Sequence, residues 1–203
     1  MKKLTLLLLL SLSHFTTGFA QWSSGIKAGL NLSTIHSSED LVSGYLPGFN
    51  AGLYFNYKMN DVIEFQPEVL YSKQGYKWDM LVCDVNGNLL EKKVTKYRTH
   101  NIIIPVLVKI NMFKRMSIDF GPQTGIYLGK HSSGKPLWNL PKSKPVDFGI
   151  VAGIGYMLSD RVWMTGRYYV GLTHSLKSKL LDIEDKYGTE NRVIQLSLTY
   201  RLF

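Results

Sequence analysis

Three times in this sequence a histidine is followed directly by a serine, at His36-Ser37, His131-Ser132 and His174-Ser175. A serine hydroxyl becomes a nucleophile when an imidazole takes its proton and a carboxylate orients the ring, so these pairs contain the residue types of acyl transfer. Such chemistry needs the groups to converge in a fixed geometry, which neighbours in a polar loop do not supply, and no catalytic residue is assigned. Metal and cofactor chemistry has less to stand on. HExxH, clustered cysteines and the EF-hand spacing are all missing, and GIVAGIG (149–155) imitates a nucleotide loop without the helix that should follow it, so neither a metal site nor a cofactor is expected. Asp182, Glu184, Asp185 and Glu190 gather in LDIEDKYGTE, but a carboxylate count does not fix a coordination shell.

The elements that would position these residues read as strands. Alternating patterns occur at about 24–33, 47–58, 62–77, 96–111, 116–129, 145–157, 161–173 and 191–203. Most exceed the usual five or six residues of globular strands and match the ~9–11 tilted residues that cross a bilayer. Their connections alternate in length. Thr34–Leu46, Trp78–Thr95, Lys130–Lys144 and His174–Glu190 are long; Met59–Asp61, Met112–Arg115 and Leu158–Asp160 are short. The pattern predicts an all-β, eight-stranded antiparallel up-and-down transmembrane barrel with its tight turns at one end. An edge strand in hydrocarbon would leave bare N–H and C=O groups at several kcal/mol each, so the last strand must pair with the first.

The two strand faces differ in charge. One carries Ile26 to Leu32, Phe49 to Tyr57, Ile102 to Ile110, Phe148 to Tyr156 and Ile194 to Leu202 at alternate positions, all uncharged. The other collects Lys27, Lys58, Glu64, Glu68, Lys109, Asp119, Asp147, Arg167 and Arg201, with glycines 29, 52, 121, 125, 149, 153 and 171. A Lys or Arg facing lipid at mid-depth costs ~2–4 kcal/mol, so the charged face is the expected lumen, its ions pairing with one another in an interior that side chains fill. Trp163, Tyr57, Tyr156, Tyr168 and Tyr200 suit interfacial girdles. Pro67 and Pro105 each remove a ladder donor inside a strand, and a β-bulge beside each is the expected accommodation.

Residues 1–20 combine Lys2 and Lys3, a leucine run from Leu4 to Leu12, and small residues at Gly18 and Ala20, the layout of a cleavable signal peptide. The expected domains are thus the signal, 1–20, and the barrel, 21–203. Both barrel termini would lie on the periplasmic side, with the long loops outside the cell. The formal charge of +9, or +7 without Lys2 and Lys3, does not indicate nucleic acid, because the basic residues are scattered through alternating strands of an exported chain. Outer-membrane lipid and lipopolysaccharide are the expected partners, with Lys130, Lys135, Lys142 and Lys144 of the third long loop as candidate phosphate contacts. One cysteine, Cys83, excludes an internal disulfide framework.

EFQPEVLYSKQG (64–75), NIIIPVLVKI (101–110), DFGPQTGIYLG (119–129), DFGIVAGIGYML (147–158) and RYYVGLTH (167–174) resemble, in order, the strand motifs of the porin-like outer-membrane β-barrel family common in Bacteroidetes, which includes PorT-type proteins. The resemblance covers nearly all of the mature chain. It departs at Ile103, where the family often has an acid, and at Phe203, one step beyond the alternation that ends on Leu202. It implies an outer-membrane barrel, handled by the barrel-insertion machinery and, in the PorT branch, tied to a secretion system. The expected role is non-enzymatic: an anchor, a surface-binding module or an accessory of an export complex. The alternatives are a lipid A-modifying enzyme and a soluble, lipocalin-like ligand-binding barrel, which would need the apolar face inward.

Overall fold

The computed structural model describes residues 21–37, 44–83, 89–133, 142–143, 145–173, 176–177 and 189–202, with side chains for 21–36, 44–77, 94–129, 145–173 and 190–202. The proposed signal peptide lies outside the described residues. Among the described residues ten strands are formed: β1 (Trp22–Ser37), β2 (Gly44–Lys58), β3 (Ile63–Cys83), β4 (Leu89–Phe113), β5 (Met116–Ser133), β6 (Lys142–Ser143), β7 (Val146–Ser159), β8 (Val162–Gly171), β9 (Leu176–Lys177) and β10 (Thr189–Arg201). Eight of them close one antiparallel barrel in the order β1-β2-β3-β4-β5-β7-β8-β10, and β6 and β9 pair separately as a small ribbon. Closure runs from Gly25↔Arg201 to Ser37↔Thr189, so the barrel sheet has no free edge at β1 or β10. All three short connections lie at one rim, where Asn60 Oδ1 accepts from the backbone N–H groups of Val62 and Ile63 and shapes the β2–β3 turn.

The wall is uneven in height. β8 has 10 residues, which at ~3.3 Å per residue and ~40° of tilt rise about 25 Å, whereas β3 has 21 and β4 has 25. Trp78–Thr95, read from sequence as a loop, is therefore mostly a continuation of the β3–β4 ladder, from Trp78↔Thr95 to Val82↔Glu91. Asn86-Gly87-Asn88, a turn-forming run within this stretch, lies outside the described residues. β5 likewise extends to Ser133, past the expected end at Gly129.

Neither interior proline is accommodated as expected. The β3–β4 register is the same at Pro67↔Val106 and at Leu70↔Ile103, so no residue is inserted at Pro67 or Pro105. The two prolines sit almost opposite each other, yet each interrupts a different ladder: pairing lapses at Pro67 between β2 and β3, and at Pro105 between β3 and β4. Bulges occur elsewhere. Leu128 is extra opposite His100 and Asn101, and β2 carries one extra residue between Tyr45 and Asn50.

Residues Ile26, Leu30, Leu53, Ile150, Ile154, Leu196 and Leu198 all face outward and are exposed, while Lys27, Glu68, Asp119 and Arg167 are buried inside. That is the reverse of a lipocalin-like arrangement. Trp22 stacks near Tyr57 at the tight-turn end of the band, with centroids 4.9 Å apart, and Phe49 meets Tyr71 at the other, 5.7 Å apart. Replacing Leu198 by Arg should lower unfolding free energy in phospholipid vesicles by ~2–4 kcal/mol, and the same change at Leu202, near the rim, by only ~0–1 kcal/mol. Urea titration of the two variants measures the depth dependence.

Candidate functional site

Inside the barrel, four alternate strands send one ionised side chain each to the axis. Lys27 (β1), Glu68 (β3), Asp119 (β5) and Arg167 (β8) stand at quarter-turns around the ring, since β1 faces β5 and β3 faces β8 across it. Lys27 Nζ donates to both Glu68 oxygens at 3.2 Å. Arg167 reaches across the diameter, Nη1 donating to Glu68 Oε2 at 2.9 Å, while its Nε donates to Asp119 Oδ2 at 2.8 Å and its Nη2 meets the same oxygen. Gln66 Nε2 adds a bond to Glu68 Oε1 at 2.6 Å. Two cations and two anions thus neutralise one another, with Lys27 and Glu68 wholly buried.

Gly153 of β7 leaves room for this crossing. A Cβ there would lie 2.5 Å from Arg167 Cγ and 2.8 Å from Asp119 Oδ1, too close for either to keep its place. The glycine is required by the side chains it faces.

One inward step toward the long connections, the lumen changes character. Leu107, Val151, Tyr169 and Val193 form a buried apolar cluster on the β4–β7–β8–β10 side, and Leu70 and Ile103 are buried with them inside the wall. On the β1–β2–β3 side a neutral network replaces it. Asn50 Nδ2 donates to Asn31 Oδ1 at 2.6 Å, Asn31 Nδ2 to Ser72 Oγ at 2.9 Å, and Ser197 Oγ to Asn50 Oδ1 at 3.2 Å. Sequence reading treated the lumen as a set of charges and overlooked these layers. Strand parity would have found them, because each shares the inward alternation of its strand with Lys27, Lys58, Glu68, Lys109, Asp147, Arg167 or Arg201.

The remaining charges have separate placements. Lys109 pairs with Glu64 at 3.6 Å and holds its ammonium 3.7 Å from the ring centre of Trp163. Trp163 is therefore a lumenal residue and not part of a girdle, on the same face of β8 as Arg167. Asn56 and Asn111 complete the shell of Glu64, at 2.9 and 2.8 Å. Arg201 bonds the Tyr54 hydroxyl near the tight-turn mouth. Lys58 lies outside the lumenal network that was expected to hold it. It shares the inward alternation of β2 but ends at the rim, half exposed, and pairs with Asp61 of the turn at 2.8 Å. That hydrogen bond holds the Asp61 carboxyl below its usual range. Asp147 was expected to pair with a cation and is instead held by neutral donors, Thr173 Oγ1 at 2.7 Å, Tyr169 OH at 3.0 Å and Asn191 Nδ2 at 3.3 Å.

Between the ion-pair crossing and the tight-turn mouth is a cavity of about 20 Å³, lined in part by Tyr54, Asn56, Glu64, Lys109, Asp119 and Arg201. That volume suits one or two waters, which Oδ1 of Asn56 and Oδ1 of Asp119, both without a protein partner, would bind. It is far below the ~300 Å³ of a ligand pocket.

Of the serine–histidine candidates, His36 is exposed at the loop end of β1, while the side chains of Ser37, His131, Ser132, His174 and Ser175 lie outside the described residues. Lys130 and Lys142 have described backbone only, in β5 and β6, and Lys135 and Lys144 lie outside the described residues. Among the described residues no group of His, Cys, Asp and Glu is arranged to hold a metal ion.

A closed eight-stranded barrel with an apolar exterior and a neutralised polar core is the architecture of an integral outer-membrane protein. Residues 19–177 match the family model of the outer membrane protein beta-barrel domain, and the chain belongs to that family. Solved structures agree on the fold. The chain is similar to Ail, the attachment invasion locus protein of Yersinia pestis, solved in complex with the heparin analogue sucrose octasulfate. The identity is 13%, coverage is 90% of this chain and 99% of that one, and the TM-score is 0.50. Neisserial surface protein A is similar at 13% identity, covering 88% and 97%, with a TM-score of 0.50. No curated protein matches the sequence.

Removing one member of the crossing strands the others. Arg167→Met should destabilise the barrel by roughly 3–5 kcal/mol, because Glu68 and Asp119 lose a shared cation in a buried setting. Lys58→Gln at the exposed rim pair should leave the urea midpoint unchanged. Folding titrations in vesicles, followed by electrophoretic mobility before and after boiling, compare the two.

Proposed function

We propose that this protein is a sealed, non-catalytic outer-membrane barrel that works as a membrane-held binding module. Its long connections face the cell exterior, and Trp22 and Arg201 face the periplasm. The observation that carries this reading is the crossing of Lys27, Glu68, Asp119 and Arg167, which, with the apolar cluster behind it, fills the cross-section a solute would need. An eight-stranded barrel is just wide enough for its own side chains, so a filled interior leaves the outer wall and the long connections as the working surfaces. The described lumen also holds no histidine or serine nucleophile paired with a base. The PorT-like motif order favours a finer role, in which the barrel anchors an export assembly at the outer membrane.

Cell fractionation tests the reading, combined with surface proteolysis at the β3–β4 hairpin, planar-bilayer recording and lipid A mass spectrometry. The protein should pellet with the envelope and change gel mobility on boiling. The hairpin should be cleaved in intact cells, no steady conductance should appear, and lipid A masses should be the same with and without the gene. A soluble protein, a stable open channel or a lipid A mass shift would each overturn it.

A further inference from the structure

Three neighbouring ladders of the barrel lapse at mid-height. Between β2 and β3 pairing stops at Tyr54↔Glu68 and resumes at Tyr57↔Phe65; between β3 and β4 it stops at Pro67↔Val106 and resumes at Leu70↔Ile103; between β4 and β5 it stops at Pro105↔Gln123 and resumes at Val108↔Phe120. The register is the same on both sides of each gap, so no residue is inserted there. The β1–β2, β1–β10, β8–β10, β7–β8 and β5–β7 ladders run through this height without a gap.

A proline accounts for each lapse. The backbone N–H of Asn111 donates to the Val62 carbonyl, on the β3 side. Backbone groups of an antiparallel strand point by turns to its two neighbours, so counting back along β4 turns Pro105 toward β3 and Val106 toward β5. In the observed registers Pro105 faces Glu68 and Val106 faces Pro122, while Pro67, turned the other way from Glu68, faces Phe55 of β2. The carbonyls of Phe55, Glu68 and Val106 therefore each meet a nitrogen that carries no hydrogen. Pro67, Pro105 and Pro122 together draw one oblique seam of weak backbone bonding, with β3 and β4 interrupted on both of their edges.

Ion pairs cross the ring at the same level. Glu68, which follows Pro67 and faces Pro105, belongs to this interrupted panel, and Asp119 stands on its border strand, β5. Both cations come from strands whose ladders are intact there, Lys27 of β1 at 3.2 Å from Glu68 and Arg167 of β8 at 2.9 Å from Glu68, with its Nε 2.8 Å from Asp119. Where the backbone holds the wall least, charge ties it to the opposite side. Such a tie is strong only while every partner is in place, because removing one leaves a buried charge uncompensated.

We propose that β3 and β4 form a compliant panel of the wall, latched shut at mid-height by Lys27 and Arg167. When the latch is weakened, the panel parts locally from β2 and β5 while the β1–β10 closure stays zipped. The filled interior thus depends on two cations as well as on the sheet. This device goes beyond the functional reading above and is independent of which rim faces the cell exterior.

Hydrogen–deuterium exchange of the protein in detergent micelles, read segment by segment by mass spectrometry, tests it. Segments 53–57, 65–70, 103–108 and 120–124 cover the seam, and 25–30, 150–156, 163–168 and 194–200 cover the unbroken wall. The seam should exchange at least about ten-fold faster than the unbroken set. Lys27→Gln, although on β1, should speed the seam about three-fold more and leave the unbroken set unchanged. The rim control Lys58→Gln should alter neither set. Pro67→Val, Pro105→Val and Pro122→Val combined should slow the seam to the rate of the unbroken wall. Should that triple variant not fold, the single changes decide: Pro67→Val slows 53–57 and 65–70, Pro105→Val slows 65–70 and 103–108, and Pro122→Val slows 103–108 and 120–124. Equal exchange of the two sets in wild type overturns the proposal. So does an equal rise in both sets with Lys27→Gln, which is the mark of global unfolding, or a seam that stays fast in the valine variants.

Discussion

A buried guanidinium spanning the diameter of the barrel is the interaction from which most of this interior follows. Arg167 binds Glu68 on the facing strand and Asp119 on a strand a quarter-turn away, while Lys27 closes on Glu68 from the opposite quarter. Taking four charges out of water is expensive, and only near-complete pairing makes it tolerable. That requirement propagates outward. Glu68 recruits Gln66 as a further donor, β7 must present a glycine at 153, and the layer above can be apolar because no charge is left over to hydrate.

The same layering explains how the described interior is filled by its own side chains. In a ring of eight strands, side chains from alternate strands meet at one height and those from the intervening strands at the next, much as the interior of a (β/α)8 barrel is filled in tiers. The ionic tier follows that scheme, drawing on β1, β3, β5 and β8, whereas the layer in contact with it, the apolar cluster with its Asn31–Asn50–Ser72 flank, takes side chains from adjacent strands as well. The small polar cavity below them leads to the tight-turn mouth and ends against the ionic tier.

What could be read from the sequence was whatever depends on parity, and what could not depends on height and on partners. Glu64, Glu68, Lys109 and Arg167 announced the inner face because strands alternate strictly, and the exposed Ile26, Leu53 and Leu198 announced the outer one. Parity alone does not say where a strand meets the rim, so Lys58 was placed with the lumenal charges although its position is at a turn. Nor does it name a partner: Asp147 satisfies itself with a tyrosine, a threonine and an asparagine. Trp163 was assigned by residue type to the girdle when its alternation with Arg167 already put it inside. Polar composition suggested a loop at Trp78–Thr95, where cross-strand pairing, invisible in one segment read alone, continues the hairpin. Pro67 and Pro105 are far apart in a linear sequence, but strand pairing makes them neighbours, each opening a gap in a different ladder, β2–β3 and β3–β4.

The unequal height of the wall bears on function in a way that the sealed lumen makes sharper. A barrel that only had to anchor would need strands of about the length of β8. Here β3 and β4 continue well past the apolar band, and the additional length remains paired as ladder. Extended ladder is stiffer than loop, so charges carried on it hold a fixed height above the bilayer, whereas charges on a long connection would move with it. With the interior filled around the Arg167 crossing, this raised side is where the described structure offers a rigid surface beyond the apolar band.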